Sequence, residues 1–127
     1  MDIQQIFSEA ARKEASDIHF IVGYPPMLRV SGVLIPIEGT SILTQDEARS
    51  LIYATFSPDQ KEVFEQNKEI DYSLATAVGR FRVNVYMQKG TIAGAFRLVP
   101  QKIKSIEALG LPAICHEFVK LRQGLIL

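Results

Sequence analysis

The sequence has few of the features that mark secreted, membrane-embedded or nucleic-acid-coating proteins. It contains one cysteine, which excludes an internal disulfide and favours a reducing compartment. No apolar run reaches the roughly 20 residues that span a membrane, and the N-terminus lacks a basic segment followed by an apolar one. Basic and acidic residues number 14 each, so no net charge draws the chain to nucleic acid or lipid. We therefore expect a cytoplasmic protein without a signal peptide or membrane anchor.

Sequence motifs for self-contained catalysis are also missing. The chain has no GxxxxGK[ST] phosphate-binding loop, no cysteine and histidine set with metal spacing, and no serine, histidine and aspartate grouping. We therefore predict that this chain by itself is not an enzyme and holds no metal. Its 127 residues, 47% of them hydrophobic, are enough for one globular domain with a core.

The clearest pattern that is present lies in residues 79–99 and predicts a β-hairpin. Polar and apolar residues alternate strictly from position 80, with a period of two that is typical of a half-buried strand. The apolar positions of the first strand are Phe81, Val83, Val85 and Met87, and those of the second are Ile92, Phe96 and Leu98. Between the two strands, Lys89-Gly90 fits a two-residue turn, because glycine readily adopts the positive φ that such a turn requires.

Packing predicts the register of this hairpin. If Phe81 faces Leu98 and Val83 faces Phe96, one face is uniformly apolar, whereas a slip by one residue mixes the two faces. The same register sets Arg82 opposite Arg97, with Arg80 diagonal to Arg97. Like charges paired across a sheet are destabilising. Two explanations remain open: the arginines bind an anion, or they form a solvated face with acidic neighbours from elsewhere in the chain.

The rest of the chain predicts an α+β fold, mainly an antiparallel sheet with flanking helices. Capping residues predict that three helices begin at Asp2, Thr44 and Ser57. Alternation of polar and apolar residues predicts four further strands, at 16–22, 27–30, 33–37 and 69–75. In the third helix we expect Val63 and Phe64 to face the core. After position 100 the pattern predicts a polar connector over 101–104, a short helix near 105–109 and another that begins at 110–112.

The last five residues predict the beginning of an apolar strand. Gln123 and Gly124 form a turn signal, and three large aliphatic residues follow them. Chain termini are seldom fresh core strands. We therefore expect that this chain was cut at a domain boundary.

Several segments resemble, in matching order, the N-terminal domain of PilT-like ATPases, the type IV pilus retraction motors of the type II/IV secretion ATPase superfamily. The segments are ASDIHF (15–20), GYPPMLRVSG (23–32), GRFRVNVYMQKG (79–90), GAFRLVP (94–100), IEALGLP (106–112) and RQGLIL (122–127). The resemblance runs from Met1 to Leu127. The position of ASDIHF so near the N-terminus resembles retraction motors more than assembly or type II secretion ATPases, whose N-terminal extensions are longer.

This resemblance implies a domain organisation and a parent protein. Residues 1–100 would form a PAS-like domain, residues 101–122 a linker with short helices, and residues 123–127 the first strand of a RecA-like ATPase domain that is otherwise absent. The parent would be a homohexameric ATPase that uses ATP and Mg, powers pilus retraction in twitching motility, and works in the cytoplasm against the inner membrane. Its partners would be its own RecA-like domain, neighbouring subunits and the pilus inner-membrane platform protein. The fragment itself is expected to bind no cofactor.

The resemblance also implies which residues act at the nucleotide. Arg80, Arg82 and Arg97 match arginines that reach nucleotide phosphates, and we expect Arg82 and Arg97 to be catalytic in the manner of arginine fingers, with Arg80 as the one that can instead be interfacial. Asp17 and His19 match the family's ASDIH segment. From the residues alone we interpret them as a local hydrogen-bonding pair with a structural or interfacial role rather than a catalytic one.

Alternatives to a retraction motor stay open, and one of them is a free-standing structural or scaffold domain. The chain can belong to a pilus assembly or type II secretion ATPase instead of a retraction motor. It can also be a PAS-like sensor or a nucleic-acid binding module, since aromatic Phe81 and Tyr86 are interleaved with arginines. The overall charge of zero argues against nucleic acid, and we predict no nucleic-acid partner.

Overall fold

Three helices begin at side chains that cap their first turns. This computed structural model describes residues 2–100 and 103–127. In each of these helices the side chain of the cap accepts a hydrogen bond from the backbone N–H three residues later, and the side chain of that later residue accepts one from the backbone N–H of the cap. The caps are the predicted Asp2, Thr44 and Ser57. The helices are α1 (Ile3–Arg12), α2 (Gln45–Tyr53), α3 (Pro58–Asn67) and the short α4 (Cys115–Phe118). Local chemistry therefore determines where α1, α2 and α3 begin.

In the part of the chain that the structure describes, six strands form one sheet in which every neighbouring pair is antiparallel. The strands are β1 (Asp17–Ile21), β2 (Met27–Val30), β3 (Val33–Pro36), β4 (Glu69–Thr76), β5 (Gly79–Gln88) and β6 (Thr91–Val99). Their order across the sheet is β3-β2-β1-β6-β5-β4, so the N-terminal and C-terminal hairpins meet where β1 pairs with β6. The predicted α+β class with a mainly antiparallel sheet is confirmed. The finer PAS-like label stays a prediction.

The β5–β6 hairpin has the predicted register. Phe81 pairs with Leu98, Val83 with Phe96, and Arg82 with Arg97. Lys89 and Gly90 form the turn with φ of 50° and 79°, the positive values that a two-residue hairpin turn needs. The alternation of polar and apolar residues and the two-residue turn at Lys89-Gly90 therefore specify the same register for this hairpin.

The helices α1, α2 and α3 cover one face of the sheet. On this face Phe7 of α1 stacks on Phe81 with ring centroids 4.7 Å apart, and Phe20 meets Phe96 edge to face at 5.2 Å. α2 packs over β6 and β1, and α3 packs over β4. The other face, which alternates with this one along every strand, carries the arginines.

A glycine lets α2 approach the sheet closely. Gly94 of β6 lies under Ile52 of α2, and a Cβ there would come within 3.2 Å of Ile52 Cδ1 and 3.0 Å of Phe96 Cε2. Both distances are shorter than ordinary van der Waals contacts. A side chain at this position would therefore require the side chains of Phe96 and Ile52 to shift by a few tenths of an ångström.

One detail of the predicted core is wrong. Phe64 is buried as expected, but Val63 is 41% exposed. Adjacent residues of an α-helix point about 100° apart, so the narrow contact between α3 and β4 buries one of them and leaves the other in water.

The C-terminal segment differs from its predicted helices. Residues 105–109 form one turn, in which the Leu109 amide donates to the Ser105 carbonyl at 3.0 Å, and α4 is only four residues long. The apolar side chains Ile114, Phe118 and Leu121 are exposed, because no described residue covers them. Without a surface to pack on, an amphipathic helix gains little beyond its own marginal propensity.

Three further predictions concern the C-terminal part and stay untested. The polar connector 101–104 falls partly outside the described residues. Residues 123–127 are exposed and form no strand in the described structure, and a strand there would need a neighbour to pair with. The division into 1–100, 101–122 and 123–127 remains a prediction.

Candidate functional site

The uncovered face of the sheet carries a row of mainly charged side chains that crosses all six strands. Cross-strand pairing places one residue of each strand in this row, from β3 to β4: Leu34, Arg29, Asp17, Arg97, Arg82 and Ser73. We call these six residues the charged row. Because the strand order joins β1 to β6, an aspartate from the start of the chain lies directly beside an arginine 80 positions later.

Asp17 is the most constrained member of the charged row. Its side chain is 9% exposed, and its Oδ1 accepts a hydrogen bond from Arg97 Nε at 2.9 Å. The neighbouring Ser16 hydroxyl donates to Oδ2 at 2.8 Å, and Arg29 Nε lies 3.7 Å from the same oxygen. Burial alone would raise the pKa of Asp17, but the hydrogen bonds from Arg97 and Ser16 outweigh it and hold the pKa below its usual value.

Arg82 has a much weaker partner. Its Nε lies 3.6 Å from Asp71 Oδ1, beyond hydrogen-bond distance, and the two side chains are 76% and 54% exposed. The Asn84 side-chain amide also lies near the carboxylates of β4, at 3.3 Å from Glu69 Oε1 and 3.5 Å from Asp71 Oδ2. The Arg82–Asp71 ion pair contributes little to stability, because both of its side chains are exposed.

The two opposing arginines are therefore turned toward different carboxylates. Arg97 bonds to Asp17 on one side, and Arg82 leans toward Asp71 on the other, which relieves part of the repulsion that the register creates. Acidic neighbours from other strands, one of the two explanations left open by the sequence, are thus present. They do not exclude the second explanation, because both contacts engage only the Nε edge.

The outer edges of both guanidinium groups stay available. Among the described residues, the terminal nitrogens of Arg82 and Arg97 donate no hydrogen bond, and the Arg97 side chain is 73% exposed. Both arginines line an open depression of about 220 Å³ together with Asp17, Asp71, Asn84 and Ala95. The geometry can therefore present two planar donor groups, side by side, to an anion.

Arg80 lies apart from this depression. It is exposed, pairs across the sheet with Val99 and Ala75, and has no ion pair among the described residues. The structure therefore brings Arg82 and Arg97 together as a pair and leaves Arg80 one row away.

The expected pairing of Asp17 with His19 does not form. Asp17 bonds instead to Arg97 and Ser16, and His19 Nε2 is buried and has no hydrogen-bond partner among the described residues. Burial lowers the pKa of His19, with Asp17 acting in the opposite direction. Residues two apart on a strand share a face, but Arg97 on the adjacent strand is directly opposite Asp17 and offers a charged donor.

Sequence reasoning also missed Arg29 and Asp71 as parts of this site. Arg29 reaches Asp17 from β2, and Asp71 reaches Arg82 from β4. Alternation in residues 69–75 placed Asp71 with Ser73 on the polar side of its strand, which was the available signal for Asp71. The partners of Arg29 and Asp71 depend on the strand order.

The two aromatic residues that are interleaved with the arginines, Phe81 and Tyr86, are not placed to stack with nucleic-acid bases. Phe81 is fully buried under α1, and Tyr86 is half-buried on the opposite side of the same strand. The two rings therefore do not form a continuous exposed surface of the kind that single-stranded nucleic acids use.

Within residues 2–100 and 103–127, no group of three or more histidines, cysteines, aspartates or glutamates is placed to hold a metal ion. In the same part of the chain, no helix has the length and apolar character needed to cross a membrane.

Relatives of known function match the chain over its whole length. The type IV pilus retraction ATPase PilT of Pseudomonas aeruginosa is 34% identical over 128 residues, which is 100% of this chain and 37% of that protein. A crystal structure of the pilus retraction motor PilT with bound ADP superimposes with a TM-score of 0.79 at 33% identity, over 95% of this chain and 36% of that one. Over its whole length the chain is similar to the N-terminal domain of a PilT-like secretion ATPase.

A second relative supports the same assignment. The type IV pilus ATPase PilU of Pseudomonas aeruginosa is 26% identical over the whole of this chain and 33% of its own length. No family model matches the chain. This PilT-like chain spans about a third of the length of these two relatives, which are described as ATPases of the type IV pilus.

Proposed function

We propose that this PilT-like domain is the regulatory and assembly domain of a hexameric ATPase that powers type IV pilus retraction. The observation that carries the proposal is its 34% identity, over the whole chain, with a pilus retraction ATPase, against 26% with the pilus ATPase PilU. In this role the domain does not hydrolyse ATP by itself. It supplies Arg82 and Arg97 to a nucleotide held by the RecA-like part of the parent protein.

The arrangement of the two arginines suits phosphate. Their like charges face each other across the β5–β6 pair, and a phosphate between them would offset the repulsion that Asp17 and Asp71 relieve only in part. The terminal nitrogens of a guanidinium group match phosphate oxygens in a bidentate geometry. The residues present therefore fit contacts to the phosphates of ATP, while Arg80, one row away, fits an interfacial role.

The other partners belong to the parent protein. We propose that the domain packs against its own RecA-like domain and against neighbouring subunits of a homohexamer, in the cytoplasm beneath the pilus platform protein of the inner membrane. Magnesium would be held with the nucleotide outside this domain. Nucleotide-driven movement between the domains would then be the power stroke of retraction and of twitching motility.

The test uses the full-length motor with Arg82→Ala and Arg97→Ala. An arginine directed at a transferring phosphoryl group is worth about a thousandfold or more in rate in well-studied enzymes, so we expect ATPase activity to fall at least about a hundredfold in each variant. Arg12→Ala is the matched control, because Arg12 is an exposed arginine of α1 whose ion pair, among the residues that the structure describes, is with Glu9. ATPase rates near wild type in both test variants would refute the phosphate role.

A further inference from the structure

Arg97 is held by one edge of its guanidinium group. Asp17 Oδ1 accepts from Nε at 2.9 Å, and no described residue accepts from the terminal nitrogens. A long side chain that is 73% exposed would otherwise sample many rotamers. The contact with Asp17 restricts that freedom and leaves the far edge, the one with two NH₂ groups, directed away from the carboxylate.

Asp17 is itself held from three directions. Ser16 donates to Oδ2 at 2.8 Å, Arg29 Nε lies 3.7 Å from that oxygen, and Arg97 occupies Oδ1. The Arg29 side chain is anchored in turn, since its terminal nitrogen donates to the Gly32 carbonyl at 3.0 Å. The carboxylate therefore has a fixed orientation and a second counter-charge that does not depend on Arg97.

We propose that Asp17 is the positioning residue for Arg97 and that Arg29 is the counter-charge of Asp17. Asp17 holds the Nε edge so that the terminal NH₂ groups of Arg97 are aimed at the nucleotide phosphate. Arg29 keeps the Asp17 charge neutralised when Arg97 shares its own charge with phosphate. The inference rests on the proposed function, because it needs a phosphate for Arg97 to contact.

Arg82 has no equivalent support. Its carboxylate neighbour Asp71 is 54% exposed, lies 3.6 Å away, and receives neither a serine hydroxyl nor a second arginine among the described residues. Two arginines that are equivalent in the sequence pattern therefore differ in how they are held. Arg97 is oriented before nucleotide binds, whereas Arg82 becomes ordered only when phosphate arrives.

The first experiment compares Asp17→Asn, Arg97→Ala and the double variant in the full-length motor. Misplacing a catalytic group by about 1 Å can cost up to about a hundredfold in rate, so we expect Asp17→Asn to lower kcat at least about tenfold with little change in KM. In the Arg97→Ala background the same substitution should have no further effect, because Asp17 acts through Arg97. Arg97→Lys should not restore the rate, since one ammonium group cannot serve Asp17 and phosphate in the bidentate way.

The outcomes separate this inference from the proposed function. A low rate for Arg97→Ala with a normal rate for Asp17→Asn overturns the positioning role and leaves the proposed function standing. If Asp17→Asn lowers kcat by the same factor in the Arg97→Ala background as in the wild type, the positioning role is also overturned, because the loss of rate would then be structural. A normal rate for Arg97→Ala refutes the proposed function and the positioning role with it. Asp59→Asn, an exposed aspartate in the first turn of α3, is the control with an expected wild-type rate.

A second measurement needs no variant that could fail to fold. In the wild-type chain, the NMR signal of the Arg97 Nε–H group should be protected from rapid exchange and should shift when Asp17 is titrated with acid. The Arg82 Nε–H signal should exchange freely at the same pH. An Arg97 signal that is unprotected and insensitive to Asp17 protonation contradicts the proposal.

Discussion

The two faces of the sheet are governed by different interactions. On the covered face, Phe81, Val83 and Phe96 are fully buried beneath the helices, and close packing sets the strand register. On the uncovered face, exposed arginines are directed by individual carboxylates of unequal strength. The apolar face therefore decides where the arginines lie, and the carboxylates of the charged row and its neighbours decide in which direction they point.

Truncation on the covered face should cause the largest effect on stability. Phe81→Ala removes a fully buried ring that stacks on Phe7, and such a change costs about 3–5 kcal/mol of unfolding free energy. Arg80→Ala, one residue earlier on the uncovered face, should stay within about 0.5 kcal/mol. Urea denaturation of the two variants measures the difference. Similar losses in both would show that the two faces do not differ as described.

Adding bulk beneath α2 should cause an intermediate loss. Gly94→Val inserts a side chain where even a Cβ would lie 3.0 Å from Phe96 and 3.2 Å from Ile52, and overpacking of this kind costs about 1–3 kcal/mol. Ala95→Val, the next residue on the uncovered face, is the matched control and should be close to neutral. Thermal unfolding compares them, and a larger loss for Ala95→Val would reverse the expected order.

The smallest effect should come from the charged row and depend on pH. The pKa of Asp17 is lowered in the folded state. Its contribution to the free energy of unfolding is therefore fully present above the ordinary aspartate pKa and is lost as the pH falls through the folded-state pKa. Because water screens the charge of the exposed Arg97, we expect this contribution to be about 1 kcal/mol. Asp17→Asn should therefore remove part of the acid sensitivity between pH 7 and pH 2, as measured by urea unfolding.

Asp71→Asn tests the other carboxylate by urea unfolding at neutral pH. Because Asp71 is half exposed and lies beyond hydrogen-bond distance from Arg82, its substitution should lower the free energy of unfolding by less than Asp17→Asn does. An equal effect of the two substitutions would erase the difference between the two ion pairs.

Much of the fold could be predicted because it depends on neighbours in the sequence. The caps Asp2, Thr44 and Ser57 act within one helical turn, and the Lys89-Gly90 turn and the two-residue period specify one hairpin register. The caps act within four residues, and the hairpin signals all lie within residues 79–99. The opposition of Arg82 and Arg97 followed from that local register alone.

Predictions failed where the outcome depended on contacts between distant segments. Val63 and Phe64 have the same apolar character, and only the position of α3 over β4 exposes one and buries the other. The sequence predicts a hydrogen bond between Asp17 and His19, two residues later, whereas Asp17 bonds to Arg97. The reason is that the pairing of β1 with β6 cannot be read from the sequence of either strand. In the C-terminal segment, periodic apolar residues predicted longer helices than the exposed chain forms.

The sequence by itself determined the helix starts, the hairpin turn and register, the α+β class and the pairing of two arginines, because short-range sterics and residue period decide them. Only the tertiary structure decided which carboxylates those arginines meet. Asp17 and Arg97 are 80 positions apart, and they become neighbours because the buried faces of β1 and β6 share one core. Side chains on the opposite face are then aligned as a consequence of that burial, and their contacts are set by the order of the strands.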